Sequence, residues 1–148
     1  MENFRKMKKS DLVAMLEEIY VCDSPKVTSP KDISVIMRAK IGRSKQENFL
    51  VAYLDGANNI IDLQVIFKGT LNQCPVHPRE VFAPAFELRA AAIIIGHNHP
   101  SGNIEPSFQD IDMTEKLKNA GEILGIQILD HVIFTKKGYY SFKSNGKI

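Results

Sequence analysis

The chain has little cysteine. Cys22 and Cys74 are its only two, far apart and in no CxxC pair, which excludes a disulfide framework and a thiolate zinc knuckle and leaves both as reduced packing residues. Long hydrophobic runs are missing too. The longest, Ala90 to Gly96, is a strand's length and far short of the roughly 20 apolar residues that cross a bilayer, so no membrane partner is expected. The basic opening MENFRKMKKSDLVAMLEEIY lacks the apolar core and small-residue cleavage site of a secretory signal, and the cytoplasm is the expected compartment. Nor is there an excess of one charge. A net charge of +2 is too small to argue for a nucleic-acid partner, although Arg38, Lys40, Arg43 and Lys45 form a local basic cluster, a pattern that ordinarily marks a solvated face. Internal repeats and low-complexity segments are absent.

What is present suits one α/β domain. The 148 residues, 44% apolar and 24% charged, supply one core of ordinary size. SDLVAMLEEIY, with Ser10 as N-cap, predicts an amphipathic helix through Leu12, Met15, Leu16 and Ile19. A second helix follows from SPKDISVIMRAKI: Ser29 caps, Pro30 takes the first helical position, Ile33, Ile36 and Met37 form the apolar face, and Gly42 ends it. A soft boundary there divides a helical lead-in, residues 1–42, from a main domain, residues 43–148. ENFLVAYLD and NIIDLQVIFKG read as a hairpin around the DGANN turn. HPREVFAPAFELRA reads as a helix from Pro78 that Pro84 must kink or interrupt unless it begins later. AAIIIGH is a buried strand by its continuous apolar character. The next helix carries Ile111, Thr114, Leu117, Gly121 and Leu124 on one face with Gly125 as C-cap, and IQILDHVIF and GYYSFK finish as strands. The fold class is α/β, a mixed sheet flanked by helices.

The stretch IIIGHNHPSGNIEPSFQDID carries the chemistry. Residues i and i+2 of a strand share a face, so His97 and His99 present their rings to one object. Neutral imidazoles suit zinc, which in catalytic sites takes three protein ligands and keeps a fourth position open. Asp110 is the natural third ligand: the Pro/Gly loop PSGNIEPS stiffens and turns the chain so that the next helix aims its first-turn carboxylate at the strand end. Ser107-x-x-Asp110 also reads as a capping arrangement. His77 and His131 are single and are not read as ligands; Asp130 and His131 in LDHVIF read as a hydrogen-bonded polar pair on an interior strand.

HNHPSGNIEPSFQD resembles the JAMM motif of the JAB/MPN metalloprotease superfamily, H-x-H-P, six residues, then S-x-x-D, at every fixed position. With VHPRE, AAIIIGHNHPSG and LDHVIF in that order, the chain from about Gln46 to Phe142 resembles the RadC family within it. The resemblance implies the JAB/MPN, cytidine-deaminase-like architecture and a zinc-dependent hydrolase of peptide or isopeptide bonds, using a zinc-activated water on a peptide or protein substrate. It implies zinc ligation by His97, His99 and Asp110, a general base near the start of an early strand, matched by Glu47, and a hydroxyl at Ser107 that steadies the tetrahedral intermediate. Glu80 in HPREVF is the competing acid, though a carboxylate in a helix's first turn is accounted for by the helix dipole. Arg79 either binds substrate or pairs with an acid. Full-length RadC-like proteins carry an N-terminal helix-hairpin-helix region, for which the 45 residues ahead of Gln46 are short, so a stand-alone catalytic-type domain is expected. Asn98 stands where the superfamily's deubiquitinases carry Ser or Thr, which points away from ubiquitin-like substrates. The alternatives are a non-catalytic zinc-containing binding module and a DNA-repair-associated factor, the latter an association of the family.

Overall fold

The computed structural model describes residues 24–69 and 76–148; the expected first helix, Cys22 and Cys74 lie outside them. The described elements run α1 (Pro30–Ile41), β1 (Asn48–Leu54), β2 (Ile60–Lys68), α2 (Pro78–Glu87), β3 (Ala92–Asn98), α3 (Phe108–Leu124), β4 (Gln127–Phe134) and β5 (Tyr139–Ser141). The strands form one mixed sheet in the order β2-β1-β3-β4-β5. β3 and β4 are parallel, joined by α3 as the crossover such a pair requires, and the other pairings are antiparallel.

The central strands read as continuous apolar runs because both faces are covered. On one face Ile33 and Met37 of α1 pack with Leu50, Ala52, Ile94, Val132 and Phe134. On the other, Val81, Phe82 and Ala85 of α2 and Leu117 of α3 pack with Phe49, Val51, Tyr53, Ile93 and Ile95. Gly96 lets α1 close on β3, since a Cβ there would collide with the Met37 thioether. The helices thus lie on both sides of the sheet, and every element that reaches the site is anchored in one of these two cores.

Three expectations are refined. Pro84 neither interrupts α2 nor delays its start, because the carbonyl it leaves without a donor, that of Glu80, lies on the exposed first turn where water serves it. On α3 the buried stripe is Asp110, Thr114, Leu117 and Gly121; Ile111 is half-buried and Leu124 exposed, as Gly125 turns the chain in the left-handed conformation before the last turn meets the sheet. The GYYSFK strand shortens to Tyr139–Ser141.

Candidate metal centre

The site lies outside the C-terminal end of β3, where antiparallel pairing with β1 gives way to parallel pairing with β4. Such a strand end, with a helix starting beside it, is where α/β sheets commonly place ligands. His97, within the strand, and His99, just past it, face α3. That helix opens with a capping box: Ser107 Oγ accepts from Asp110 N at 3.2 Å, and Asp110 Oδ2 accepts from Ser107 N at 2.8 Å. The acid is therefore held by the start of its own helix. The capping reading of Ser107-x-x-Asp110 leaves the carboxylate available to the histidines: Oδ2 caps the helix on one side and faces His99 on the other, while Oδ1 faces His97.

Among the described residues, His97, His99 and Asp110 come together as a group positioned to hold a metal ion. His97 Nε2 lies 2.8 Å from His99 Nε2 and 3.2 Å from Asp110 Oδ1, and His99 Nε2 lies 3.5 Å from Asp110 Oδ2. A tetrahedron with ligand bonds of about 2.0–2.1 Å has edges of about 3.3 Å, so the three atoms already sit near ligand spacing. Two imidazole lone pairs 2.8 Å apart repel unless a cation or proton stands between them. The side chains of His97 and Asp110 are 1% and 3% exposed and that of His99 12%, so the cluster meets solvent on the His99 side. Burial works against ionising Asp110, but hydrogen bonds from His97 and His99 outweigh it and hold the carboxyl well below its usual range. Burial likewise lowers His99, yet its bond to Asp110, its bond to the Asn103 carbonyl and the charges of Asp110 and Glu47 carry it above the ordinary histidine value.

The remaining ring nitrogens fix the tautomers. His99 Nδ1 donates to the Asn103 carbonyl at 2.6 Å, leaving Nε2 as the ligand atom. For His97 the control is longer. Thr114, one turn along α3 from Asp110, donates its only hydroxyl hydrogen to the Asp110 carbonyl at 2.5 Å. Its oxygen must then accept from His131 Nδ1, 2.6 Å away. His131 is fully buried, and burial, followed by the charge of His97, drives its pKa well below the ordinary value, so it is neutral and Nε2 carries a lone pair. That lone pair accepts from His97 Nδ1 at 2.9 Å and leaves His97 Nε2 available as a candidate ligand atom. His131 lies outside the candidate group and orients one of its members. Sequence reading missed this role, although Thr114 four residues after Asp110 was a usable signal that the two face the same strand end.

A family model described as the RadC-like JAB domain matches residues 27–147. The chain belongs to this family. It is 48% identical over 121 residues to a UPF0758 protein of Staphylococcus haemolyticus, covering 82% of this chain and 53% of that protein. To UPF0758 proteins of Methanospirillum hungatei and Methanosarcina mazei it is 50% identical over 122 residues and 43% over 136, covering 82% and 92% of this chain and 54% and 59% of theirs. The chain spans about half the length of the curated relatives it matches. The mixed five-stranded sheet with its helices is the α/β architecture expected of a JAB/MPN domain.

In this RadC-like domain Glu47 immediately precedes β1, and its charge acts on His99. The antiparallel pairing of β1 with β3 ends at Phe49 and His97, two residues short of Glu47 on one side and of His99 on the other. Asn98 holds the segment of Glu47. The Asn98 side chain accepts from Asn48 N at 2.7 Å and donates to the Gln46 carbonyl at 3.0 Å, gripping the backbone on both sides of Glu47. The residue between the two histidines, noted from the sequence only as a departure from the deubiquitinases, is therefore a clamp on the acid. Ser107 accepts the cap bond through its oxygen, and that bond does not use its own hydrogen. Glu80 lies exposed on the first turn of α2, paired with Arg79 at 3.2 Å, and His77 is the exposed N-cap residue of the same helix. None of these three joins the metal cluster.

Proposed function

We propose that this domain is a zinc-dependent hydrolase of peptide or isopeptide bonds. The observation that carries the reading is the three-atom cluster near tetrahedral ligand spacing, open on the His99 side, with Glu47 acting on that same histidine. Two neutral imidazoles and a carboxylate are a donor set suited to catalytic zinc, as in other three-ligand hydrolase sites. When bound, the ion supplies Lewis acidity that makes water nucleophilic near neutral pH and polarises an amide carbonyl. The chain's own residues do the rest. Glu47 takes the proton of the attacking water and returns it to the leaving amine. Ser107 turns its hydroxyl hydrogen toward the carbonyl oxygen as charge develops there. Asn98 keeps the Glu47 backbone in place, and His131 keeps the His97 lone pair aimed.

The test pairs metal analysis with turnover. One zinc per chain is expected in the wild type, a large loss in His97→Ala, and retention in Glu47→Gln, whose amide keeps the shape but takes no proton at neutral pH. Zinc-loaded wild type incubated with a diverse peptide library should yield new termini by mass spectrometry that Glu47→Gln does not. Equal metal in wild type and His97→Ala overturns the site. Identical peptide profiles for zinc-loaded wild type and Glu47→Gln overturn the hydrolase reading in favour of a binding role.

A further inference from the structure

A cleft of about 700 Å³ has His99 in its wall. Its walls bring together cations from three places: Arg38 in the last turn of α1, Arg43 and Lys45 in the link to β1, and Lys136 and Lys137 in the turn between β4 and β5. Among the described residues no Asp or Glu lines it. In a chain of net charge +2 this is a strong segregation of charge, and the ion pairs among the described residues use none of the five cations. Arg38 Nε is moreover buried without a hydrogen-bond partner among the described residues, which leaves its charge without a local partner there.

The cleft is built rather than loosely draped. Thr135 N donates to the Gly138 carbonyl at 2.9 Å while the Thr135 hydroxyl accepts from the Lys137 and Gly138 amides, both at 3.2 Å, so the turn bearing the two lysines has a set shape. Across from it, Asn48 Nδ2 donates to Ser44 Oγ at 2.9 Å and to the Gln46 carbonyl at 2.8 Å, fixing the segment that carries Lys45. Like charges brought together on held segments repel one another, and an anionic occupant relieves that repulsion.

Carboxylates and phosphodiesters both answer such a site, and the walls distinguish them. Single-stranded nucleic acid binds grooves that combine cations with exposed aromatic platforms for its bases. Among the described residues, the aromatic rings in this lining are the His99 imidazole, engaged with Asp110 and Asn103, and Phe134, which is 1% exposed and packed into the core, so neither is a free platform for a base. Small polar and aliphatic walls with flexible cations suit extended polypeptide bearing acidic side chains. We infer that the cleft is a subsite for an acidic stretch of polypeptide, consecutive Asp or Glu residues that flank the amide presented at the metal centre; this rests on the amide-hydrolase reading for its place in catalysis, though binding itself needs no turnover.

Fluorescence anisotropy tests it on the full chain, with and without zinc. The probes are a labelled peptide with a run of glutamates in a Gly/Ser background, the same peptide with glutamine in their place, and a labelled single-stranded oligothymidylate of matched charge. The proteins are wild type, Lys136→Glu/Lys137→Glu, Arg43→Glu/Lys45→Glu, and Lys31→Glu/Lys147→Glu, which makes the same change in net charge outside the cleft; circular dichroism establishes that each is folded. The glutamate peptide should bind wild type about tenfold or more tighter than the glutamine peptide, and more weakly as salt rises. Either cleft double variant should remove that preference, Lys31→Glu/Lys147→Glu should keep most of it, and it should survive zinc removal. Equal binding of the two peptides overturns the proposal. So does a preference that vanishes with zinc and ignores the cleft variants, or tighter binding of the oligonucleotide that the cleft variants abolish. Charge-selective binding without cleavage would fault the hydrolase reading alone, and cleavage without charge selectivity would fault the subsite alone.

Discussion

At the scale of single residues, the least obvious dependence of the site is on a histidine outside the candidate ligand group. His131 accepts the His97 Nδ1 proton only because Thr114 has already committed its hydroxyl hydrogen to the helix carbonyl. Replacing His131 with leucine leaves that N–H buried without an acceptor and the His97 ring unaimed; zinc affinity should fall about 10–100-fold, the range for outer partners of metal-bound histidines. His131→Gln, whose amide oxygen is able to accept, should lose less. Competition with a chromophoric chelator, at a temperature where both variants are folded, measures the difference, and equal losses would mean that His131 acts only by filling space.

His99 adds a pH dependence whose sign follows from its environment. Asp110 and the Asn103 carbonyl raise its pKa above the ordinary value despite burial, so a proton competes for Nε2 from higher pH than at an isolated histidine. Zinc affinity should be level above the raised value and fall with acid below it, with the decline starting above pH of about 6.5. The same competition assay run from about pH 8 to about pH 5.5 reads it, and a decline starting only well below pH of about 6.5 contradicts the raised value.

At the scale of elements, the molecule repeats one device and puts it to two uses. α1 and α3 both start with Ser-x-x-Asp capping boxes, Ser29 with Asp32 and Ser107 with Asp110. Asp32 Oδ2 accepts from Thr28 and Ser29 and serves its helix alone, whereas Asp110 adds the two histidines. Ser29→Ala and Ser107→Ala should therefore cost similar stability, about 0.5–2 kcal/mol each by thermal or denaturant unfolding of the metal-free protein. Zinc affinity should drop only in Ser107→Ala. A drop of the same size in Ser29→Ala would break the link between cap and ligand.

These paired boxes also mark how much was legible in advance. The sequence pattern Ser-x-x-Asp announces a helix start, and only the His-x-His strand end opposite the second one makes it a ligand site; that combination, with period-two spacing and a stiff loop, is local enough to read directly. The hairpin, the buried β3 and the caps at Ser29, Gly42 and Gly125 were legible for the same reason. What was not legible depends on partners distant in the chain. Asn98 meets Gln46 and Asn48 some fifty positions earlier, and His131 meets Thr114 across the parallel crossover. The basic cluster was half visible: Arg38, Arg43 and Lys45 line the cleft, Lys40 does not, and the missing cations come from the Lys136–Lys137 turn, nearly a hundred positions further along the chain.

At the scale of the whole molecule, helices on both faces cover β3, the central strand of five, which pairs with β4 from Ala92 to Asn98 and with β1 from Ala92 to His97. The Asn98 side chain extends that pairing past the strand's end to the backbone on either side of Glu47. Thermal displacement is then shared: when β3 shifts, His97, His99 and the segment carrying Glu47 are carried along in unison, and the separations among them change far less than their positions do. A domain built this way can tilt or breathe while the candidate ligands and Glu47 keep their mutual spacing, as instruments bolted to one rail stay aligned when the rail moves.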